Sequence, residues 1–218
     1  MGYFIAGYFA VSILSSLIGY LKREFFKFVK PIPVTILIIY TAISLDWKIF
    51  NICSILLIAA LILGLIGDII LLNRNLTLPG LISFLLGHLI FIYMMFRYDS
   101  MIMIYIAVVI FAFPMILTLI LFLMMNNNTQ KAMGIPVIIY GAVLSVMLIA
   151  AVNADVYGIK DSLYLFTIGT VFFILSDILL GYQKFVKQIN CLTIPIHILY
   201  YSAQLTLAIR FLMIINYL

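Results

Sequence analysis

The chain has 218 residues, of which 67% are hydrophobic and only 9% are charged, and its mean hydropathy is +1.32. So little polar surface excludes a water-soluble domain of this length and predicts a protein that crosses a membrane several times. The formal net charge of +5 is what basic cytoplasmic connections leave in such a protein, so it gives no reason to expect a nucleic-acid partner.

Continuous apolar runs of about twenty residues, without the alternation of barrel strands, predict an all-α polytopic bundle of eight transmembrane helices. The whole chain, residues 1–218, is expected to form a single integral membrane domain. The predicted helices are Tyr3–Leu21, Pro33–Leu45, Phe50–Leu72, Leu78–Arg97, Met101–Met125, Gly134–Asn153, Ser162–Tyr182 and Leu192–Asn216. The second is short unless it begins near Lys30.

Basic residues give the predicted orientation. The connections after the first, third, fifth and seventh helices hold eight Lys or Arg residues, and those after the second, fourth and sixth hold three. By the positive-inside rule the first set faces the cytoplasm, and both termini face away from it. The composition, rich in Ile and Asn, is typical of an AT-rich bacterial genome, so we expect a multi-pass protein of a bacterial inner membrane. Nothing in the pattern indicates an oligomeric state.

An internal repeat is visible in two of the apolar runs. Asp68 and Asp177 are each followed twenty residues later by a histidine, His88 or His197. The flanking sequences Ile-Gly-Asp-Ile-Ile-Leu-Leu and Leu-Ser-Asp-Ile-Leu-Leu-Gly also correspond. Because each half holds four helices, we predict two parallel four-helix repeats, approximately residues 1–109 and 110–218, related by an axis along the membrane normal.

Asp68 and Asp177 are the only two of the seven acidic residues that lie inside apolar runs. An ionised carboxylate there costs about 2.5–3.5 kcal/mol on insertion scales, which favours a functional role over hydrogen bonding between helices. If the repeats are real, the two carboxylates lie at matching depth in the cytoplasmic half and face one cavity. Two carboxylates in one desolvated cavity do not both ionise, so we expect one protonated acid and one charged, stabilising base.

Other polar residues inside the spans are candidates for positioning a substrate or water. Tyr201 and Gln204 share a helix face with His197, although hydrogen bonding between helices explains them equally well. Lys30 either binds a lipid phosphate or extends to the membrane surface. Two histidines and two aspartates resemble a metal site, but His88 lies deeper than the aspartates, so we expect no metal. The candidate substrate-binding residues are Lys30, His88, Ser176, His197, Tyr200, Tyr201 and Gln204.

Together these segments resemble the lysoplasmalogenase (YhhN) family of multi-spanning membrane hydrolases. The matching motifs span nearly the whole chain and are Lys30-Pro31, Gly67-Asp68, Gly80-x3-Phe84-x3-His88-x4-Tyr93, Gly141-Ala142, Phe173-x2-Ser176-Asp177 and Tyr200-Tyr201-x-Ala203-Gln204. The last two are the most specific. Thr170 departs from the Gly-Ala pair often found at its position, which affects local packing only.

The resemblance implies an enzyme that cleaves the vinyl ether bond of lysoplasmalogen to a fatty aldehyde and glycerophosphocholine or glycerophosphoethanolamine, without a cofactor. Protonation of the β-carbon of a vinyl ether gives an oxocarbenium ion, to which water adds. We expect Asp68 and Asp177 to be the acid and the residue that stabilises the cation or orients water, in unassigned order, as paired carboxylates do in glycosidases.

Two other classes of protein fit the same pattern. Parallel repeats with central carboxylates also suit a proton-coupled transporter of a small molecule or lipid. Such transporters have paired interruptions within their spans, whereas Pro114 has no counterpart in the other half. A lipid-binding or scaffold membrane protein without turnover would tolerate Asn at both aspartates.

Overall fold

The computed structural model describes residues 2–45, 52–97, 104–125, 132–158 and 163–217, and nearly all of them are helical. In chain order the helices are α1 (Gly2–Leu21), α2 (Arg23–Val29), α3 (Ile32–Ser44), α4 (Ile52–Ile70), α5 (Thr77–Phe96), α6 (Ile104–Leu123), α7 (Gly134–Asn153), α8 (Leu165–Phe185) and α9 (Thr193–Tyr217). Single 3₁₀ turns precede α5 and α9, and a π-helical turn follows α7.

The predicted all-α membrane bundle is confirmed. Within the described ranges, seven helical segments are long and apolar enough to cross a membrane, and α6 contributes a shorter apolar stretch at Ala107–Leu123. None of these residues forms a β-strand. Helix α9 lies in the middle of the bundle, because 78% of its most apolar window is buried, against 28% for α1.

The second span begins earlier than expected. The predicted second helix, Pro33–Leu45, agrees with α3, but the residues before it were not predicted to be helical, which is wrong. They form α2, which joins α3 in one apolar segment, Glu24–Ser44. Lys30 and Pro31 both keep right-handed helical dihedral angles between the two helices. Pro31 and Pro33, which were predicted to mark the start of the span, therefore lie at the junction of α2 and α3 within it. The first turn of α3 tolerates proline, because the N–H groups there have no partner within the helix.

The two halves of the chain pack in a similar way. Helix α4 packs along α5, as α8 packs along α9, and α5 contacts α7, as α9 contacts α3. This arrangement is the one expected of two related halves, although the division into repeats at residue 109 stays a prediction.

The two aspartates lie at different distances from the ends of their helices. The Lys184 ammonium, near the end of α8, donates a hydrogen bond of 3.0 Å to the carbonyl oxygen of Leu71, just after α4, so both helices end on the same side. Asp68 lies in the last turn of α4, whereas Asp177 lies about two turns before the end of α8.

The histidines are also at unequal positions. Helix α5 begins at Thr77 and α9 at Thr193, so His88 lies about three turns into its helix and His197 about one turn into its own. Asp68 and His88 are 20 residues apart, as are Asp177 and His197, but the helix ends fall at different points within these two stretches. Asp177 lies further from the end of α8 than Asp68 does from the end of α4.

Two glycines of α4 allow the site residues to approach it. A Cβ atom at Gly64 would lie 2.6 Å from Nε2 of Gln204, and one at Gly67 would lie 2.8 Å from the ring of Phe84. Both distances are shorter than real side chains permit, so α4 packs closely against α5 and α9 because these two positions lack side chains.

Candidate active site

Asp68 and Lys30 form a buried ion pair. Asp68 is 2% exposed and Lys30, which lies between α2 and α3, is 6% exposed. The Lys30 ammonium lies 3.0 Å from Oδ1 of Asp68 and donates to the backbone oxygen of the same residue at 3.2 Å. The lysine supplies the counter-charge without which a buried carboxylate would be strongly unfavourable.

This contact corrects the expectation for Lys30. The sequence suggested a lysine that binds a lipid phosphate or extends to the membrane surface, and the structure instead turns the ammonium inward. The reason is the Asp68 carboxylate, which attracts the ammonium into the bundle more strongly than the surface does once both groups lie in low dielectric.

Tyr201 fixes the backbone beside this ion pair. Its hydroxyl donates to the carbonyl oxygen of Lys30 at 2.9 Å, and its own carbonyl oxygen accepts a hydrogen bond of 3.2 Å from the hydroxyl of Tyr8. Helices α1 and α9 thereby hold the junction between α2 and α3. Tyr201 was predicted to position a substrate, and its observed contacts position Lys30.

Tyr200 and Gln204 lie on the other side of Asp68. Gln204 Nε2 donates to the Tyr200 hydroxyl at 3.3 Å, and Tyr200 is close enough to Asp68 for an electrostatic interaction. Two buried acceptors there, Oδ2 of Asp68 and Oε1 of Gln204, receive no hydrogen bond from any residue that the structure describes. Acceptors of this kind suit a donor such as water or a substrate hydroxyl.

Asp177 has a different partner and lies in a different environment. The Tyr140 hydroxyl, from α7, donates a hydrogen bond of 2.8 Å to Oδ2 of Asp177. Tyr140 is buried, whereas Asp177 is half-buried in the wall of a cavity. A carboxyl group held by a hydroxyl and facing a mostly apolar space is arranged as a proton donor or acceptor.

The cavity lies among α5, α6, α7 and α8, next to the end of α4. Its empty volume, including its open mouth, is about 560 Å³. The lining residues are Leu71, Thr77, Leu81, Phe84, Thr118, Leu121, Val137, Tyr140, Leu144, Asp177, Ile178, Leu180, Gly181, Lys184 and Phe185. Most of these are aliphatic or aromatic, so the cavity suits an apolar chain.

Aromatic rings lie between the cavity and Asp68. Phe84 lines the cavity and packs edge-on against Tyr200, with ring centroids 5.7 Å apart, and Tyr200 lies beside Asp68. The two carboxylates are nonetheless close enough for their charges to interact. The contact of both with one substrate group stays a prediction, since Asp68 is absent from the cavity lining given for the described residues.

His88 is buried among aromatic rings near Asp177. Its ring packs edge-on against Phe173 and Tyr140, at centroid distances of 4.9 and 5.6 Å. Its Nδ1 atom has no hydrogen-bond partner within the described ranges. His88 also lines a second, smaller cavity of about 180 Å³ that shares Phe84 with the first, so the structure brings it close to the site.

Ser176 and His197 are placed in helix packing instead. Ser176 Oγ donates to the carbonyl oxygen of Ile196 at 3.0 Å, which joins α8 to α9. His197 Nδ1 lies 2.6 Å from the carbonyl oxygen of Thr193, and the ring packs edge-on against Phe26. Within the described part of the chain, no three His, Cys, Asp or Glu residues come close enough together to hold a metal ion.

Two residues of the site were not predicted, Tyr140 and Lys184. Lys184 follows Asp177 by seven residues, so Asp177 and Lys184 lie on one face of α8, and this spacing was visible in the sequence. Tyr140 directly precedes the Gly141-Ala142 motif. Its contact with Asp177 was not visible in the sequence, because it joins residues of two helices that are 37 positions apart in the chain.

Comparison with known proteins gives one match, which covers most of the chain. The model of the YhhN family matches residues 25–210. No curated protein and no solved structure matches the sequence. The matched region includes the Lys30–Asp68 ion pair, the Tyr140–Asp177 hydrogen bond and every residue that lines the larger cavity. This multi-pass helical membrane protein therefore belongs to the YhhN family.

Proposed function

We propose that this protein is a membrane hydrolase that cleaves the vinyl ether bond of lysoplasmalogen, a phospholipid with one alkenyl chain. Its family is consistent with a hydrolase. The observation that carries the proposal is the Asp177 carboxyl group in the wall of a mostly apolar cavity, held by the Tyr140 hydroxyl at 2.8 Å. Hydrolysis of a vinyl ether needs a proton donor and water, and it needs no cofactor.

In this proposal Asp177 is the acid and Asp68 is the charged residue. Asp68 has a lysine counter-ion at 3.0 Å, which keeps it ionised. Asp177 has a hydroxyl partner, and a protonated acid is far less costly than a carboxylate in an apolar wall. The difference in partners supports an assignment of the two roles that the sequence left open.

The reaction begins with transfer of the Asp177 proton to the β-carbon of the vinyl ether. The double bond supplies the electron pair of the new C–H bond, and an oxocarbenium ion remains beside the Asp177 carboxylate. Water then bonds to the α-carbon and gives a proton to Asp177, which restores the acid. The hemiacetal hydroxyl loses its proton as the bond to the glycerol oxygen breaks, and that oxygen is protonated, giving the aldehyde and the glycerophospho-alcohol.

Tyr140 and Asp68 have supporting roles in this scheme. Tyr140 donates to Oδ2 of Asp177 and thereby orients the carboxyl group so that Oδ1 carries the transferred proton. The ionised Asp68 lies within electrostatic range of Asp177 and stabilises the cation that forms there.

The proposed site faces the cytoplasmic leaflet of a bacterial inner membrane. Asp177 lies about two turns from the end of α8, whose last turn carries Lys184, and Lys187 follows just after the helix. The positive-inside rule assigns this end to the cytoplasm and both termini to the other side. A lipid with one chain can then enter the cavity from the inner leaflet, among the surrounding membrane lipids.

The test is product analysis with purified protein. Lysoplasmalogen and an ordinary acyl lysophospholipid are incubated side by side, and the products are identified by mass spectrometry. We expect a fatty aldehyde from the vinyl ether and no fatty acid from the ester, with loss of aldehyde release in Asp68→Asn and Asp177→Asn. Fatty acid release from the ester, or full aldehyde release by both variants, would contradict the proposal.

A proton-coupled transporter is the second candidate, and the buried Lys30–Asp68 ion pair is the observation that favours it. Ion pairs within the membrane, coupled to a further carboxyl group, are typical of proton relays. A transporter would move protons together with a solute across liposomes and release no aldehyde, so flux and aldehyde assays on one preparation separate the two functions.

A further inference from the structure

We infer that Lys184 binds the phosphate group of a single-chain lipid at the mouth of the larger cavity. The inference rests on the proposed function for the position of the reacting bond at Asp177. It adds a headgroup-binding residue, which the sequence had sought in Lys30.

The first step is the geometry of α8. Asp177 and Lys184 are seven residues apart, so both lie on one helix face, separated by about 10 Å along the axis. Gly181 lies between them and the Leu121 side chain of α6 packs against it, since a Cβ there would lie 2.6 Å from Leu121 Cδ2. All three residues of α8 line the cavity. A ligand lying along this face therefore meets a carboxyl group at one point and an ammonium group two turns nearer the helix end.

The second step is the location of Lys184 at the polar end of the cavity. Its ammonium donates to the carbonyl oxygen of Leu71 at 3.0 Å, and Thr77, the first residue of α5, lines the same region. These residues belong to helix ends, as does the lining residue Phe185, whereas Asp177, Tyr140 and Phe84 lie about two turns from the ends of their helices. The cavity thus has a basic outer end and an apolar interior, which is the polarity of a phospholipid with one chain.

The third step is the size of the ligand. In a lysoplasmalogen, seven bonds separate the β-carbon of the vinyl ether from the phosphorus atom, a length of about 8–9 Å when extended, for bonds of roughly 1.5 Å in a zigzag. This length matches the separation of Asp177 and Lys184 on α8. With the vinyl ether at Asp177, the phosphate reaches the flexible lysine, which binds phosphate as a point charge.

The hydrogen bond to the Leu71 carbonyl oxygen is an alternative explanation for Lys184, a purely structural role. A lysine that donates to a carbonyl group at the end of α4 stabilises that helix end. Loss of that role alone would affect all ligands equally, whereas loss of a phosphate contact affects only ligands that carry phosphate. A charge-assisted contact of this kind corresponds to about tenfold in affinity.

The kinetic test compares two substrates. Lys184→Gln is assayed with an alkenyl-glycerophosphocholine and with the corresponding 1-alkenylglycerol, which lacks phosphate. We expect KM to rise about tenfold for the phospholipid, with kcat little changed, and both constants to stay near wild type for the alkenylglycerol. Lys184→Arg should restore most of the loss. Lys187→Gln, an exposed lysine three residues further on, is the control and should leave both substrates unaffected.

A binding measurement separates this inference from the proposed function. Saturated 1-O-alkyl-glycerophosphocholine cannot be protonated as a vinyl ether is, so its binding is measured without turnover, by calorimetry in a phosphate-free maltoside detergent. We expect it to bind the wild type about tenfold more tightly than 1-O-alkylglycerol, and Lys184→Gln to abolish the difference. If this difference in binding is observed but the wild type releases no aldehyde from lysoplasmalogen, the proposed hydrolase function is rejected and the phosphate site is retained.

Other outcomes would overturn the inference. An equal loss of both ligands in Lys184→Gln would leave only the role at the end of α4. Binding of glycerophosphocholine alone, as tight as that of the alkyl phospholipid, would identify a site for a soluble phosphate ester instead of a lipid.

Discussion

Removing one partner of the Lys30–Asp68 ion pair is expected to destabilise the bundle much more than removing both charges. In Lys30→Met, the Asp68 carboxylate loses a counter-ion at 3.0 Å while it stays 2% exposed. An uncompensated buried charge of this kind costs about 3–5 kcal/mol, which corresponds to a fall in Tm of about 6–20 °C for a chain of this length. The double variant Lys30→Met/Asp68→Asn leaves no charge to compensate, so most of the loss should be recovered.

Thermal unfolding of the purified variants in detergent measures this difference. Lys27→Met is the matched control, because Lys27 lies in α2, three residues before Lys30, and is exposed, so its replacement should change Tm by little. A Tm of Lys30→Met within about 2 °C of wild type, or a double variant no more stable than the single one, would refute the interpretation of this contact as an ion pair that compensates a buried charge.

Three further predictions concern the site and its support. Asp177→Asn removes the proposed acid and should lower aldehyde release about 10²–10⁴-fold without lowering Tm; turnover near wild type would exclude this role. Gly64→Ala displaces the Gln204 amide, because its Nε2 atom would lie 2.6 Å from the new methyl group, and should lower activity about twofold to tenfold. Gly7→Ala is the control: its methyl group meets nothing within 4 Å, so activity should stay unchanged. Equal effects of the two substitutions would contradict the reasoning. Asp155→Ala removes hydrogen bonds to the first turn of α8 and should cost about 0.5–2 kcal/mol of stability, measured by Tm, with normal aldehyde release per folded molecule; an unchanged Tm would refute the capping role.

The helices were predictable because each apolar run is long enough to cross a membrane and polar residues separate the runs. The error at α2 has a clear cause. Lys22, Arg23 and Glu24 resemble a connection, and Pro31 and Pro33 resemble a helix start, but the prolines fall in the first turn after a break, where a helical path is allowed. Local signals alone do not distinguish a helix start from a break within one span.

The sequence placed both aspartates inside apolar runs, but it did not reveal their partners. Lys30 pairs with Asp68 across 38 residues of sequence, and Tyr140 pairs with Asp177 across 37. Such pairs depend on how helices rotate and shift against one another, which the periodicity of a single helix does not specify. For the same reason, the corresponding sequences around Asp68 and Asp177 did not reveal that the two residues lie at different distances from the ends of α4 and α8.

The fate of the hydrogen that Asp177 delivers tests the central claim most directly. Lysoplasmalogen is hydrolysed in D₂O, and the aldehyde is reduced at once with borohydride, so that later exchange adds no label, before mass spectrometry. Protonation at the β-carbon predicts that the wild-type product carries one deuterium on the carbon next to the former carbonyl group. Asp177→Asn should form little of this labelled product, because it should form little product at all. An aldehyde without this deuterium, or the same labelled product at the same rate from Asp177→Asn, would contradict it.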